Sequence, residues 1–271
     1  MVTGRRKPML HYTDEGSGHA LVLLHGFTEH SGIWDEYTRK LRAIFRVIRI
    51  DLPGHGLSPS MGLIYTMEMM ADEVRAVLSG LRIRKCVMIG HSMGGYVTLS
   101  FAARYPAMLR GFGLFHSQAE ADSEEAREGR DKTIGIIRAN HSNWLNQFIP
   151  DLFAPHNRER YKSQIAALQS AAGAIRPSCL IACLEGMKRR ASRLEVLSGA
   201  RVPVMFIAGK LDERIPAGKV MAQASLVQHA ELLLLSNVAH MGYLEASESC
   251  YLFVKNFVTN CYLLSSASHS A

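Results

Sequence analysis

Residues 86–95 read CVMIGHSMGG, in which an apolar run leads directly into a glycine-flanked serine. The run is typical of a short strand that is covered on both faces. Gly90 to Gly94 fit the pattern G-x-S-x-G, and a helical pattern follows as far as Arg104. Between a strand and a helix, this pattern holds a serine at a sharp turn where only small neighbours fit. We therefore predict Ser92 as a nucleophile at a helix N-terminus, where developing negative charge is favoured; an ordinary glycine-rich turn is the alternative.

Similar apolar runs recur on both sides of this stretch and alternate with segments of helical periodicity. The other strand-like runs are 21–24, 46–50, 204–207 and 232–235, and the clearest helical segments are 33–45, 66–81 and 94–104. Strands that alternate with helices predict an α/β fold with a doubly wound, mostly parallel sheet.

The alternation of strand-like and helical segments is interrupted between residues 117 and 197, where no strand-like run occurs. This stretch is polar, charged and helical in pattern, as in 120–138 and 158–172. We interpret it as a helical insertion over the sheet. The predicted organisation is a core of residues 1–116 and 198–264, a helical cap of residues 117–197, and a small, polar, disordered tail of residues 265–271.

A serine hydroxyl needs a general base, which a carboxylate usually orients. His240 follows the last strand-like run in NVAHMG, and Asp212 follows the run 204–207 in GKLDERIP. Loops after the carboxyl ends of such strands border the ligand crevice. The chain order Ser92, Asp212, His240 is typical of a catalytic triad on a sheet of this type. Glu213 is adjacent to Asp212 and is the alternative acid.

An oxyanion hole requires two backbone N–H donors near the serine. The residue after the nucleophile, Met93, is expected to supply one donor, and the loop after the early strand, His25-Gly26-Phe27, the other. We select Phe27, because Gly26 lets the backbone approach closely; an ordinary strand-ending turn is the alternative. We interpret His25 and His91, like His55 in the loop 51–58, as structural histidines.

These motifs resemble those of the α/β-hydrolase superfamily. The matching pieces are LLHGF (23–27), DLPGHGLS (51–58), GHSMGG (90–95), GKLDERIP (209–216) and NVAHMG (237–242). The resemblance spans residues 10–260 apart from the insertion, which resembles the helical cap of that family. A serine in the nucleophile position argues against epoxide hydrolases and haloalkane dehalogenases, which have aspartate there. The loop after His25 also lacks the Gly-Gly-Pro-Gly of proline iminopeptidases.

The resemblance implies a serine hydrolase that cleaves a small carboxylic ester through an acyl-enzyme, without a metal or cofactor. One alternative is a carbon–carbon bond hydrolase of the meta-cleavage type. Another is a lyase that uses the triad as a base on a carboxylated substrate, although that group usually has an arginine where this chain has Tyr96. A binding protein on the same fold is a further alternative.

Apolar residues of the expected cap, namely Trp144, Phe148, Leu152 and Phe153, are candidates for an acyl pocket. They would equally suit a small core of the cap itself, because aromatic side chains dominate core burial. Among them, Trp144, Phe148 and Phe153 are the predicted substrate contacts.

The formal net charge is +7, with 48% hydrophobic and 20% charged residues, which fits a folded globular chain. The densest basic cluster comprises Lys188, Arg189, Arg190, Arg193 and Arg201. It predicts either a solvated face or a docking site for an anionic substrate or an acidic carrier protein. No aromatic motif accompanies it, which argues against nucleic acid.

The sequence contains no apolar run of membrane-spanning length, and its basic start lacks the apolar region of a signal peptide. Its five cysteines are scattered, which is not typical of a disulfide framework. These observations predict a cytoplasmic location.

Overall fold

The computed structural model describes residues 9–267 and contains a seven-stranded sheet. The strands are β1 (Tyr12–Glu15), β2 (Ala20–Leu24), β3 (Arg46–Ile50), β4 (Cys86–His91), β5 (Leu109–Phe115), β6 (Val204–Gly209) and β7 (Ala230–Leu235). Their order is β1-β3-β2-β4-β5-β6-β7. β1 pairs antiparallel with β3, and all the other pairs are parallel. The predicted α/β fold with a mostly parallel sheet is confirmed.

All five predicted apolar runs are strands, but the sequence patterns did not reveal β1 and β5. β1 is a short, partly exposed edge strand with the polar sequence YTDE. In β5 the glycines interrupt the apolar run by which the other strands were predicted, and close packing requires glycine at these positions. A Cβ at Gly111 would lie 2.4 Å from Sγ of Cys261, and one at Gly113 would lie 2.7 Å from Cε of Met205. The final helix and the neighbouring strand therefore approach β5 more closely than a larger residue would permit.

The α-helices are α1 (Asp35–Leu41), α2 (Met67–Gly80), α3 (Met93–Arg104), α4 (Glu124–Phe148), α5 (Lys162–Gly173), α6 (Pro177–Lys188), α7 (Leu194–Ser198), α8 (Ala217–Ala224), α9 (Gly242–Glu245) and α10 (Ser247–Ala267). The three helices predicted in the core correspond to α1, α2 and α3. Thr66 caps α2 by accepting a hydrogen bond from the N–H of Met69, at 3.1 Å. β2 and β4 are buried along their whole length, as expected for central strands covered on both faces.

The stretch between β5 and β6 is helical, as expected, and contains α4 to α7. α4 continues ten residues beyond the predicted segment but is broken at Asn140, where φ is −156° and ψ is 84°. The side-chain oxygen of Asn140 accepts a hydrogen bond from the N–H of Asn143, at 3.0 Å, and so caps the second half. Residues of both segments, among them Arg130 and Trp144, line the same cavity.

The carboxyl-terminal helix extends into the predicted disordered tail. α10 continues through Ala267, so residues 265–267 of the predicted disordered tail are helical, whereas residues 268–271 lie outside the described residues. The helix is anchored by its buried face, where Phe257 and Cys261 pack into the core.

Within residues 9–267, no single helix is long and apolar enough to cross a membrane, although the bent pair α5 and α6 together meets that criterion by length and composition. All five cysteines are buried and none is disulfide-bonded. This agrees with the expectation that they form no disulfide framework.

Candidate active site

The carboxyl ends of β4, β6 and β7 bring Ser92, Asp212 and His240 into one hydrogen-bonded row. His240 Nε2 lies 2.9 Å from Oγ of Ser92, and His240 Nδ1 lies 2.7 Å from Oδ2 of Asp212. All three residues were predicted from the sequence, and the structure brings them together with His240 between the other two. Glu213, the alternative acid, is exposed and makes no hydrogen bond with His240.

Ser92 occupies a strained turn. Its φ of 49° and ψ of −114° lie in a region that side-chain-bearing residues rarely adopt. The neighbouring glycines permit the turn: a Cβ at Gly90 would lie 2.1 Å from the carbonyl oxygen of Gly94, and one at Gly94 would lie 2.6 Å from that of His25. Ser92 is therefore fixed immediately before α3, whose N-terminus favours negative charge.

The loop that carries His240 is attached to the helical insertion. The backbone N–H of His240 donates to the carbonyl oxygen of Leu152, at 2.9 Å. Glu245 connects the same two segments, because its Oε1 accepts from the N–H of Ala239 and its Oε2 from the N–H of Ala154, at 3.1 and 2.9 Å. The position of the histidine thus depends on the position of the insertion.

Asp212 is buried and accepts hydrogen bonds on both carboxylate oxygens. Oδ1 accepts from the backbone N–H groups of Arg214 and Ile215, at 2.9 and 3.0 Å. Oδ2 faces the Nδ1 atoms of both His240 and His116. Burial would raise the pKa of Asp212, but electrostatic interaction and hydrogen bonds with His240 and His116 lower it well below its usual range. The carboxylate is held as an anion in a fixed orientation.

His116, which the sequence analysis missed, follows β5 and contacts the same carboxylate oxygen at 3.2 Å. Its Nε2 accepts a hydrogen bond from the N–H of Gly242, at 3.2 Å, so the proton lies on Nδ1 and is donated to Asp212. Burial lowers the pKa of His116 to about 4, which keeps the ring neutral. No local pattern marks this residue, because it ends a strand that the patterns did not reveal.

A buried ion pair lies beneath the nucleophile turn. His91 Nδ1 donates to Glu29 Oε2, at 2.9 Å, and His91 Nε2 donates to the carbonyl oxygen of His240, at 3.0 Å. Because both partners are acceptors, His91 carries both protons and is an imidazolium. Burial would raise the pKa of Glu29, but His91 and the N–H of Gly26 lower it to about 2. Tyr243 donates to the second oxygen of Glu29, at 2.9 Å.

Glu29 thereby joins three loops. Its Oε2 accepts from the N–H of Gly26, at 2.6 Å, in the loop after β2. Through His91 it also reaches the nucleophile turn and the His240 loop. The other two motif histidines shape the backbone, as expected: His25 connects the carbonyl of Gly26 with the N–H of Leu52.

The two predicted oxyanion donors are available for a ligand. Neither the backbone N–H of Phe27 nor that of Met93 donates to another group within the described residues. Phe27 lies in the loop that Glu29 holds, and Met93 is the first residue of α3. Unpaired donors in these two places are what an oxyanion hole requires.

By distance, His116, Asp212 and His240 could also surround a metal ion, since their ligand atoms lie within 4.8 Å of one another. The hydrogen bonds account for these atoms without a metal. Nδ1 of His116 carries a proton toward Asp212, and its Nε2 is already engaged by Gly242. A cation would have to displace this pattern, so the arrangement suits proton transfer better.

A cavity of about 390 Å³ opens over Ser92 and His240, a size typical of small-molecule sites. Trp144 and Phe148 line it, as predicted, and stack on each other with ring centres 4.5 Å apart. The structure does not bring Phe153 to this cavity. Phe153 is 1% exposed and packs against Tyr161, so it belongs to the interior of the insertion.

The predicted basic cluster is largely neutralised by carboxylates of the chain itself. Lys188 pairs with Asp131 and Glu185, Arg189 with Glu185, Arg190 with Asp122, and Arg193 with Glu68, all within 3.4 Å. Arg190 is also buried over the ring of Tyr96. An anion that docked on this cluster would therefore compete with these carboxylates.

A mostly parallel sheet of this order, with a serine turn after one strand and an aspartate and a histidine after two later ones, defines an α/β-hydrolase. A sequence model of the alpha/beta hydrolase fold family matches residues 19–247; the chain belongs to this family and is a hydrolase.

Individual relatives are distant, and two of the three described next are similar over nearly their full length. The chain is 28% identical over 258 residues to pimeloyl-[acyl-carrier protein] methyl ester esterase of Xanthomonas axonopodis pv. citri (strain 306), covering 93% of this chain and 99% of that protein. It superposes on a thermophilic esterase from Thermogutta terrifontis, solved with malate bound, with a TM-score of 0.88 and 27% identity, covering 93% of each chain. It is also 32% identical to the dihydrolipoyllysine-residue acetyltransferase component of the acetoin cleaving system of Pseudomonas putida; this match covers 85% of this chain but 61% of that protein.

Proposed function

We propose that the protein is a serine esterase that cleaves a small carboxylic ester through an acyl-enzyme. The observation that carries this proposal is the position of His240, whose two ring nitrogens lie 2.9 Å from Ser92 Oγ and 2.7 Å from Asp212 Oδ2. One histidine in contact with both a hydroxyl and a buried carboxylate is the arrangement that activates a serine.

In the proposed reaction, Ser92 Oγ attacks the ester carbonyl while His240 Nε2 takes the hydroxyl proton. The negative charge that develops on the carbonyl oxygen is stabilised by the N–H groups of Phe27 and Met93. The bond to the leaving alcohol then breaks, and His240 donates its proton to that oxygen. Water repeats the sequence on the acyl-enzyme, which releases the acid and restores Ser92. Asp212 stabilises the imidazolium at each step without being protonated.

Two similar proteins that are themselves esterases support ester cleavage. The protein from Xanthomonas axonopodis is a methyl ester esterase, and the structural neighbour from Thermogutta terrifontis is an esterase. An ester linked to an acyl carrier protein is a second candidate, favoured by the name of the first relative. Its test is the rate on a methyl ester of a carrier-bound acyl group compared with that on the free methyl ester.

In this proposal, residues 117–197 act as a cap that encloses the acyl group. Trp144 and Phe148 supply an apolar wall, and Phe27 is near both, with ring centres 6.1 and 6.0 Å away. The backbone contact between His240 and Leu152 would couple cap position to the base.

The proposal is tested with p-nitrophenyl esters of increasing chain length and with a serine-directed phosphonate. Ser92→Ala is expected to lose both turnover and labelling, since removal of a triad nucleophile lowers kcat by up to about a million-fold. Ser163→Ala, an exposed serine in α5, is the matched control and should retain both. Near-normal turnover in folded Ser92→Ala protein would exclude the mechanism. Labelling without ester turnover would favour carbon–carbon cleavage instead.

A further inference from the structure

The cavity over Ser92 contains two guanidinium groups that the proposed ester reaction does not use. Arg130 comes from the first half of α4, and Arg214 lies in the loop after β6, two residues beyond Asp212. Arg130 is half-buried, whereas Arg214 is exposed at the cavity, so a ligand that enters it can meet the Arg214 guanidinium.

Arg214 has no ionic partner of its own. No carboxylate of residues 9–267 lies within 4.0 Å of its guanidinium, and its central carbon lies 4.4 Å from the ring centre of Phe148. The Arg214 guanidinium thus lies over the Phe148 ring, and its N–H groups have no acceptor within the described residues, which leaves them free for a planar acceptor of a ligand.

The carboxylates around Arg214 are largely committed elsewhere. Asp212 accepts from four donors, and Asp151 pairs with Arg158 at 3.0 Å. Glu213 also lines the cavity but is exposed and forms no ion pair within the described chain. The backbone N–H of Arg214 is bonded to Asp212, so the residue starts from a fixed point.

Arg130 adds positive charge to the same cavity. It pairs with Asp122, but Arg190 pairs with that carboxylate too, at 2.6 Å. One buried carboxylate thus faces two guanidiniums, which leaves one positive charge in excess among Asp122, Arg130 and Arg190. The third nitrogen of the Arg130 guanidinium, Nη1, has the weakly accepting sulfur of Met187 as its partner, at 3.6 Å.

We propose that the cavity binds esters that carry a free carboxylate, such as half-esters of short dicarboxylic acids, and that Arg214 recognises this carboxylate. The ester carbonyl lies at Ser92 while the distant carboxylate meets the edge of the Arg214 guanidinium, with Arg130 contributing to the positive field. A bidentate arginine–carboxylate pair gives orientation as well as affinity. The inference rests on the proposed function for the cleavage step but not for binding of the acid.

The test compares two substrates of equal size, mono-p-nitrophenyl glutarate and the corresponding p-nitrophenyl glutaramate, which is uncharged. Wild type is expected to prefer the half-ester in kcat/KM, and Arg214→Gln should reduce kcat/KM for the half-ester about 10- to 100-fold more than for the amide. Arg214→Lys should retain part of the preference. Arg189→Gln, at an exposed arginine that pairs with Glu185, is the matched control and should leave the preference unchanged. Equal rates of the wild type on both substrates, or equal losses in Arg214→Gln, would overturn the inference.

A binding measurement separates this inference from the esterase proposal. Calorimetric titration of Ser92→Ala with monomethyl glutarate and with its uncharged amide, methyl glutaramate, requires no catalysis. Monomethyl glutarate is expected to bind more tightly, and its advantage should diminish in Arg214→Gln and at high salt. If neither p-nitrophenyl ester is hydrolysed and the phosphonate does not label, the esterase proposal fails. The anion site still stands if monomethyl glutarate binds through Arg214, and it fails if monomethyl glutarate and methyl glutaramate bind alike.

Discussion

His116 Nδ1 lies 3.2 Å from Asp212 Oδ2, the same oxygen that His240 contacts at 2.7 Å. The two histidines come from different strand ends, and both orient one carboxylate. Because Gly242 fixes the tautomer of His116, this residue is a permanent donor to Asp212. A Cβ at Gly242 would lie 2.4 Å from Nε2 of His116, so the contact also requires glycine at that position.

Replacement of His116 should lower kcat with little change in KM, because the residue positions Asp212 and does not line the cavity. His116 has a φ of 48°, which glycine and asparagine tolerate. His116→Gly removes the donor and should lower kcat about tenfold, whereas His116→Asn retains an amide donor and should recover part of the rate. In the pH profile of kcat/KM, the acidic limb, where activity is lost on protonation of the base, should move to higher pH in His116→Gly. Without His116, more of the negative charge of Asp212 would stabilise the protonated form of His240. An unchanged kcat and limb in the folded variant would rule out this role.

Asp212→Asn should lower kcat by about 10⁴, because the shape is kept while the charge that stabilises the imidazolium is lost. Glu213→Gln is the adjacent control and should remain within a few-fold of wild type, since Glu213 is exposed. Steady-state kinetics on one p-nitrophenyl ester measure both. The opposite ranking would make Glu213 the acid.

Glu29→Gln should destabilise the fold, because it leaves the His91 imidazolium buried without its counter-charge. Breaking a buried pair in this way costs about 3–5 kcal/mol in the free energy of unfolding. Glu248→Gln removes an exposed pair with Lys40 and should cost less than about 1 kcal/mol. Urea denaturation measures both, and equal small losses would show that the buried pair is not ionised.

The protein should lose stability as the pH falls below about 6.5, the ordinary pKa of histidine. Burial lowers the pKa of His55 to about 3 and that of His116 to about 4. Between these values and 6.5, the unfolded chain binds protons that the folded protein does not, so acid favours unfolding. From pH 6.5 to 5, each histidine should remove about 2 kcal/mol. His91, with a raised pKa, acts above this window, where its stabilising charge is lost as the pH rises.

The measurement is the urea midpoint of wild type and His116→Asn at pH 6.5 and 5. The variant should lose about 2 kcal/mol less than wild type over this interval. Parallel losses in the two proteins would show that His116 is not buried as a neutral ring.

Phe148→Ala and Phe153→Ala should separate substrate selection from packing. Phe148 lines the cavity, so its loss should change the order of preference among acyl chain lengths. Phe153 is buried, so its loss should cost about 3–5 kcal/mol of stability and leave that order unchanged. Rates over an ester series, together with the midpoint of urea unfolding, distinguish the two effects. A changed preference in Phe153→Ala would place that ring at the substrate.

Local sequence was sufficient for five of the seven strands and for the chain order of Ser92, Asp212 and His240. Apolar runs of four or five residues predicted β2, β3, β4, β6 and β7, and the glycines at 90 and 94 predicted the turn at Ser92. These features are visible in sequence because neighbouring residues cause them: burial on both faces demands continuous apolar side chains, and a sharp turn demands small ones.

Tertiary structure alone placed His116 against Asp212, 96 residues away, and Glu29 against His91, 62 residues away. It also showed that Phe153 is buried away from the cavity, contrary to the prediction, and that Arg190 pairs with Asp122. The local sequence does not reveal whether a polar side chain faces water, a carboxylate or a substrate. Which of these it meets depends on where distant strand ends and helices converge, because the strength of charge and hydrogen-bond interactions is set by distance and burial in the folded chain.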